Sequence, residues 1–170
     1  MLGVKKETAS VTSGKVEAVI KEEQETEDGN NGELILVSPL KGRFIPLSEV
    51  HDETFASGVL GDGVGIQPAE GKVYAPFDCT VAAVFDTKHA IGLETPDGVE
   101  LLIHIGMDTV KLNGEPFTVY VEAGETVKAG GLLVEFDMDK IKAAGLDTVT
   151  PVIVTNPGKY KSIKITGRQS

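Results

Sequence analysis

Residues 87–108 read Thr87-Lys-His-Ala-Ile-Gly-Leu-Glu-Thr95-Pro-Asp-Gly98-Val-Glu-Leu-Leu-Ile-His104-Ile-Gly-Met-Asp108, and their texture decides the fold. Thr95-Pro-Asp-Gly98 is a turn: proline presets φ for the first central position, aspartate favours the second and glycine closes it. Apolar, partly β-branched runs flank it, so the segment reads as a β-hairpin. With the turn centred between Pro96 and Asp97, residues i and j face each other when i + j is 193. That sum holds for a two- or four-residue loop and fails at a bulge. It places His89 opposite His104, and opposed Cβ atoms lie about 4.5–5.5 Å apart. Alternation then gathers Thr87, His89, Ile91 and Leu93 on one face with Glu100, Leu102 and His104. Gly106 and Asp108 join them if pairing continues, and Phe85 extends the surface. The other face matches Ala90 and Gly92 with Leu101 and Ile103.

Outward from the hairpin the same texture repeats. Residues 34–37, 72–75, 80–85, 99–105, 117–121, 132–136, 152–155 and 162–166 are short, rich in β-branched or aromatic residues, and separated by Gly, Pro, Asn and Asp. Helical spacing is confined to a turn near residues 52–58 and to residues 138–144, with Asp137 as N-cap and Gly145 as the stop. This predicts an all-β domain, a sandwich or a barrel. Val37-Ser-Pro-Leu40, Tyr74-Ala-Pro-Phe77 and Val149-Thr-Pro-Val152 form a faint repeat, in which each proline can break one strand at a corner and start the next.

The chain has 170 residues, enough for one domain with a sizeable core. Residues 1–32 carry four lysines, seven acids and only scattered apolar residues. They read as a disordered tail or linker, with at most a weak helix over residues 3–23, before a domain spanning 33–170. No apolar run approaches the roughly 20 residues of a membrane helix, and no signal-peptide stretch follows the start. A lone cysteine, Cys79, fits a reducing cytoplasm. Sixteen basic and 26 acidic residues give a net charge of -10. Such a field repels phosphate backbones and anionic lipid, so nucleic acid and membrane insertion are not expected, and a basic partner is.

Four chemistries compete for the histidine pair. The two rings can simply be packed. They can ligate zinc, although a closed site needs further ligands and there is no H-E-x-x-H. A Cys/His protease needs a base oriented on Cys79, which the sequence does not identify. Last, a neutral imidazole can carry a phosphoryl group while a second one donates to its oxygens. Periodicity leaves zinc and phosphoryl carriage both open.

The stretch Gly98-Val-Glu-Leu-Leu-Ile-His104-Ile-Gly-Met-Asp108-Thr-Val110 resembles the phosphorylation-site signature of glucose-family enzyme IIA domains of the bacterial sugar phosphotransferase system: glycine, an apolar run, His, apolar, Gly, apolar, any residue, Thr. The resemblance extends over residues 36–165 and includes Gly61-Asp-Gly63 with Ile66-Gln-Pro68, Phe85-Asp-Thr87-Lys-His89-Ala, Lys111-Leu-Asn-Gly114, Phe136-Asp137 and Thr150-Pro-Val152. It implies an antiparallel β-sandwich of the duplicated barrel-sandwich hybrid type, with short helical turns. It also implies a phosphotransferase that accepts a phosphoryl group from the carrier HPr and passes it to a cysteine of an enzyme IIB domain. By this resemblance His104 is the acceptor through Nε2, its Nδ1–H held by a backbone carbonyl. His89 supports the phosphoryl group, and Thr87 orients the pair. Asp52 and Asp108 flank the docking face, where an arginine of HPr can pair with them; Phe55, Phe85 and Leu102 form an apolar ring. No cofactor is required. Some relatives hold zinc on the two histidines when a partner supplies a carboxylate, so His89 and His104 are the one expected metal position. Others regulate sugar permeases or kinases by binding alone, which leaves a binding-only regulator as the alternative. Zinc hydrolases of the lysostaphin type share a similar fold but need an H-x-H, which is absent. Many relatives continue into an edge strand beyond residue 165, so an unpaired edge or a shortened sheet is expected there.

Other motifs read more plainly. His51 is a surface loop residue, and Cys79 a small buried strand residue. Gly61-Asp-Gly63 only mimics a nucleotide loop, since Ile66 stands where G-x-G-x-x-G needs its third glycine. The glycine-punctuated stretch 121–133 suits a swivelling carrier domain but lacks a Met-Lys-Met or Asp-Lys-Ala tip.

Overall fold

A computed structural model describes residues 10–11, 17–22 and 32–168. Its strands are β1 (Ser10–Val11), β2 (Glu17–Glu22), β3 (Glu33–Val37), β4 (Gly42–Pro46), β5 (Asp62–Pro68), β6 (Lys72–Tyr74), β7 (Cys79–Val84), β8 (Ala90–Glu94), β9 (Glu100–His104), β10 (Phe117–Val119), β11 (Thr126–Val127), β12 (Leu132–Phe136), β13 (Thr150–Asn156) and β14 (Ser162–Thr166). Helix α1 (Glu53–Ala56) and helix α2 (Met138–Ala143) are short, and each is capped by the aspartate before it: Asp52 accepts from the Thr54 N–H and Asp137 from the Lys140 N–H. The strands form sheets ordered β1-β2-β14-β3, β10-β12-β6 and β11-β7-β8-β9-β13-β5-β4. All their pairings are antiparallel except β14 with β3. This is the all-β domain that the strand texture predicts, and of its two forms the sandwich with short helical turns that the resemblance implies.

Two apolar cores hold it. The larger joins all three sheets, with Ala18, Leu36, Ile66, Val81, Ile91, Ile103, Leu133, Val152 and Ile165 among its members. The smaller comprises Leu47, Val50, Phe55, Met107, Val149 and Ile153, with Ile45 and Leu102 packed against it.

Three expectations change. Residues 17–22 are neither tail nor helix: β2 alternates Ala18 and Ile20 into the core and pairs with β14. The rest of the expected tail, save residues 10, 11 and 32, lies outside the described residues. Nor does β14 present an unpaired edge, because β2 covers one side and β3 the other. The third change is the hairpin register. Ala90 pairs with His104, Gly92 with Leu102 and Glu94 with Glu100, a sum of 194 rather than 193. The cause is a three-residue loop, Pro96-Asp-Gly98, closed by Thr95 N–H to Val99 O (2.9 Å), with Gly98 left-handed at φ +94. Thr95 Oγ1 reinforces it, donating to Asp97 Oδ1 and accepting from the Val99 N–H. The faces are therefore regrouped. Ile91, Leu93, Leu101 and Ile103 point to the core, and Gly92 and Leu102 share His104's side. Of the faint repeat, the first two copies end β3 and β6, whereas the third lies at the start of β13 with Pro151 paired to Gly65.

Candidate functional site: a histidine pair

His104 ends β9. The ladder between β9 and β13 runs from Val152 onward and stops short of Pro151, which has no N–H to give. Beyond His104 the chain turns at Gly106, φ +77. A Cβ there would stand 2.6 Å from Thr109 Cγ2 and 2.9 Å from Asp147 O, so only glycine fits the turn. The turn brings the Gly106 carbonyl 2.8 Å from His104 Nδ1. A carbonyl only accepts, so Nδ1 carries the proton and the lone pair of the neutral ring sits on Nε2.

His89 reaches the same place by a different route. In the observed register its backbone lies opposite Ile105, whose N–H donates to His89 O (2.7 Å). Strict alternation would turn its ring away from His104. Lys88, at φ +62, breaks the extended backbone just before β8. The rings meet at 4.8 Å between centroids and 83° between planes. His89 Nδ1 is 2.7 Å from Thr87 Oγ1, a hydroxyl that can donate or accept. The pairing expected of His89 and His104 is thus present, through backbone geometry other than the one the sum of 193 supposed.

Both rings are kept neutral. His89 is buried, and desolvation together with the neighbouring His104 pushes its pKa down to about 4. His104 is lowered as well, chiefly by desolvation. Opposing that are its bond to Gly106 and the charges of Asp52 and then Asp108.

Around the pair, Phe85 is 43% exposed and meets the His89 ring edge-on at 5.6 Å. Phe55 meets His104 at 4.8 Å between ring centroids, with the planes tilted at 56°, but is buried in the smaller core, so it backs the ring rather than rimming the face. Leu102 is half-buried beside it. Exposed Val59 and Leu60 follow α1, and exposed Val110 follows Asp108; the sequence reading passed over all three. Their signal was position, two to five residues from Phe55 or Asp108 in turns where an apolar side chain has no core to enter. Lys88 was likewise not singled out, and Gly106 and Thr109 were named as fixed positions of the signature without a task assigned to either. His51 is exposed. Cys79 is buried, its thiol pushed up to about 11 by burial and then by Asp78, which removes the thiolate a protease would need. Two imidazoles are half of a zinc site: among the described residues no three His, Cys, Asp or Glu stand together to hold a metal.

An all-β sandwich with two neutral imidazoles in contact on one face is a domain built around a histidine pair. A family model described as phosphoenolpyruvate-dependent sugar phosphotransferase system, EIIA 1, matches residues 34–160. The beta-glucoside-specific EIIBCA component of the phosphotransferase system of Dickeya chrysanthemi is 45% identical over 162 residues, 95% of this chain and 26% of that protein. The glucose-specific EIICBA component of Staphylococcus saprophyticus is 56% identical over 124 residues, 73% of this chain and 18% of that protein. The solved glucose permease IIA from Mycoplasma capricolum superposes with a TM-score of 0.70 at 40% identity, covering 72% of this chain and 80% of that one. The chain belongs to the EIIA 1 family of the sugar phosphotransferase system, as an enzyme IIA domain of the glucose type. It spans about a quarter or less of the curated relatives' length.

Proposed function

We propose that this domain carries phosphoryl groups for sugar uptake, accepting them from phospho-HPr on His104 and delivering them to a cysteine of an enzyme IIB domain. The observation that carries the reading is the bond from His104 Nδ1–H to Gly106 O, which leaves Nε2 as the nucleophile. In loading, the Nε2 lone pair attacks phosphorus in line, and the bond to the HPr imidazole breaks with its electrons returning to that ring. In unloading, the IIB thiolate attacks, and the P–Nε2 pair returns to His104. The transition state is loose, its charge on the equatorial oxygens. His89, whose ring touches that of His104, donates an N–H toward those oxygens, and the Thr87 hydroxyl holds its Nδ1. Asp52 and Asp108 supply negative charge beside the apolar rim formed by Phe85 and Leu102, suited to an arginine of HPr.

Partner-supplied carboxylate could complete zinc binding at His89 and His104; the transfer itself uses no metal. We place the domain in the cytoplasm, with sugar permeases or kinases as further binding partners. No described helix is long and apolar enough to cross a membrane.

The test is incubation with phosphoenolpyruvate, enzyme I and HPr. One phosphate should add by mass, labile in acid and stable in alkali, and His104→Ala should abolish it while the fold survives. A protein that takes no phosphate would be a binding-only regulator, and retained labelling in the variant would displace His104.

A further inference from the structure

The turn after His104 is pinned at three points. Ile105 N–H donates to His89 O, Met107 N–H donates to Asp147 O (2.9 Å), and Thr109 Oγ1 donates to Ile105 O (2.5 Å). The first and second are backbone bonds that any side chain allows. The third depends on one hydroxyl. Thr109 is fully buried at the start of a 3-10 turn (Thr109–Leu112), and its methyl lies against Gly106 so closely that a Cβ on Gly106 would overlap it.

Between Ile105 O and Met107 N lie the two peptide planes that set where Gly106 O points. A left-handed glycine is free to swing unless both planes are held. Asp147 O holds one and Thr109 the other. We propose that Thr109 is a positioning residue for phosphoryl transfer: its hydroxyl fixes the Ile105–Gly106 peptide, which keeps the Gly106 carbonyl on His104 Nδ1 and Nε2 free to attack. The proposal rests on reading His104 as the acceptor, and it assigns to Thr109 a task exerted through the backbone, with no contact to the phosphoryl group.

The same bond chain couples the two histidines. Ile105 receives Thr109 at its carbonyl and gives its N–H to His89 O, so one residue's peptide groups tie His89 to the turn that orients His104. Loss of the Thr109 hydroxyl leaves a buried carbonyl without its donor, and the cheapest remedy is rotation of the Ile105–Gly106 plane toward another donor. Such a rotation carries Gly106 O off Nδ1. His104 then populates the Nε2–H tautomer, whose lone pair faces the wrong way.

The experiment compares Thr109→Ser, which keeps the hydroxyl, with Thr109→Val, which keeps the shape, and Thr109→Ala, which keeps neither. Long-range nitrogen–proton NMR spectra of the unphosphorylated proteins report the His104 tautomer, and rapid quench with phospho-HPr reports loading. Wild type and Thr109→Ser should show Nδ1–H and load alike. Thr109→Val and Thr109→Ala should show mixed tautomers and load on the order of tenfold more slowly, about what one misplaced hydrogen bond costs. Full Nδ1–H with wild-type loading in Val or Ala overturns the proposal, as does a serine variant as impaired as the alanine one. If the valine protein does not fold, the Ser and Ala pair decides; if no variant folds, a Thr109 hydroxyl proton that exchanges freely with water in wild type overturns it. A wild-type protein that takes no phosphate sinks the phosphocarrier reading by itself, whereas the tautomer comparison needs no donor and stands apart.

Discussion

At the scale of single residues the unusual cost is the burial of His89. Its pKa of about 4 lies well below the ordinary 6.5, so between those values the unfolded chain binds more protons than the native one. Stability must therefore rise with pH through that window, be complete above about 6.5 and drain away as pH falls toward 4. The loss attributable to His89 is on the order of 2 kcal/mol, less than the full shift implies because the site opens partly to solvent. His104, lowered mainly for the same reason, adds to the slope in the same direction. Urea unfolding midpoints from pH 7 to pH 4 should fall in wild type and fall less in His89→Gln, which has no proton to gain. Parallel curves for the two proteins would assign the loss to carboxylates elsewhere. Packing chemistry and transfer chemistry thus share one requirement, an imidazole that stays uncharged at neutral pH.

At the scale of elements, the hairpin shows what a sequence can and cannot carry. Thr95-Pro-Asp-Gly98 declares a turn, and the apolar runs beside it declare strands, so β8 and β9 were legible as a pair. The loop's parity was not. Whether Gly98 takes a right- or left-handed conformation changes the count by one, and one residue of slip exchanges the faces of both strands. His89 and His104 still come together because Lys88 adopts φ +62, a local break that no alternation rule contains. Strand β5 was illegible for a related reason: Gly63 and Gly65 look like breakers, yet a Cβ on Gly63 would stand 2.1 Å from Val152 O, so glycine is what lets β13 approach. Strand β2 carries only Ala18 and Ile20 inward among charged neighbours, too little pattern to separate from a solvated tail. The motif around His104, by contrast, was readable because each of its fixed positions has a steric or hydrogen-bonding task. The Lys88 break is open to test. Lys88→Val puts a β-branched residue in the left-handed region and should cost about 1–2 kcal/mol, with slower loading as His89 swings from His104. Lys88→Gly should fold at least as well as wild type. A valine variant with unchanged stability and loading would show that the backbone at residue 88 does not place His89.

At the scale of the whole molecule, the sheet β1-β2-β14-β3 closes the fold with segments from far apart in the chain. Arg168 fastens it, donating from Nε to Ser38 O (2.8 Å) and from Nη2 to Ala75 O (3.4 Å) while its guanidinium lies 4.8 Å from the Tyr74 ring centre. Both carbonyls belong to copies of the faint proline repeat, so the arginine ties two strand corners to the end of β14. Ile20 tests the contribution of β2. It is fully buried, and Ile20→Ala should cost about 3 kcal/mol in chemical unfolding. A cost near zero would return residues 17–22 to the solvent. The antiparallel register sets Glu17 beside Thr166 at one end of that sheet. A mechanical load drawn through those two positions would part β2 from β14 one residue pair after another, as a zip opens, instead of straining every rung of the ladder together. The seven-stranded sheet bearing His104 lies off that line of force. A domain pulled by tethers at either end would thus yield first at its seam, with its transfer chemistry still assembled.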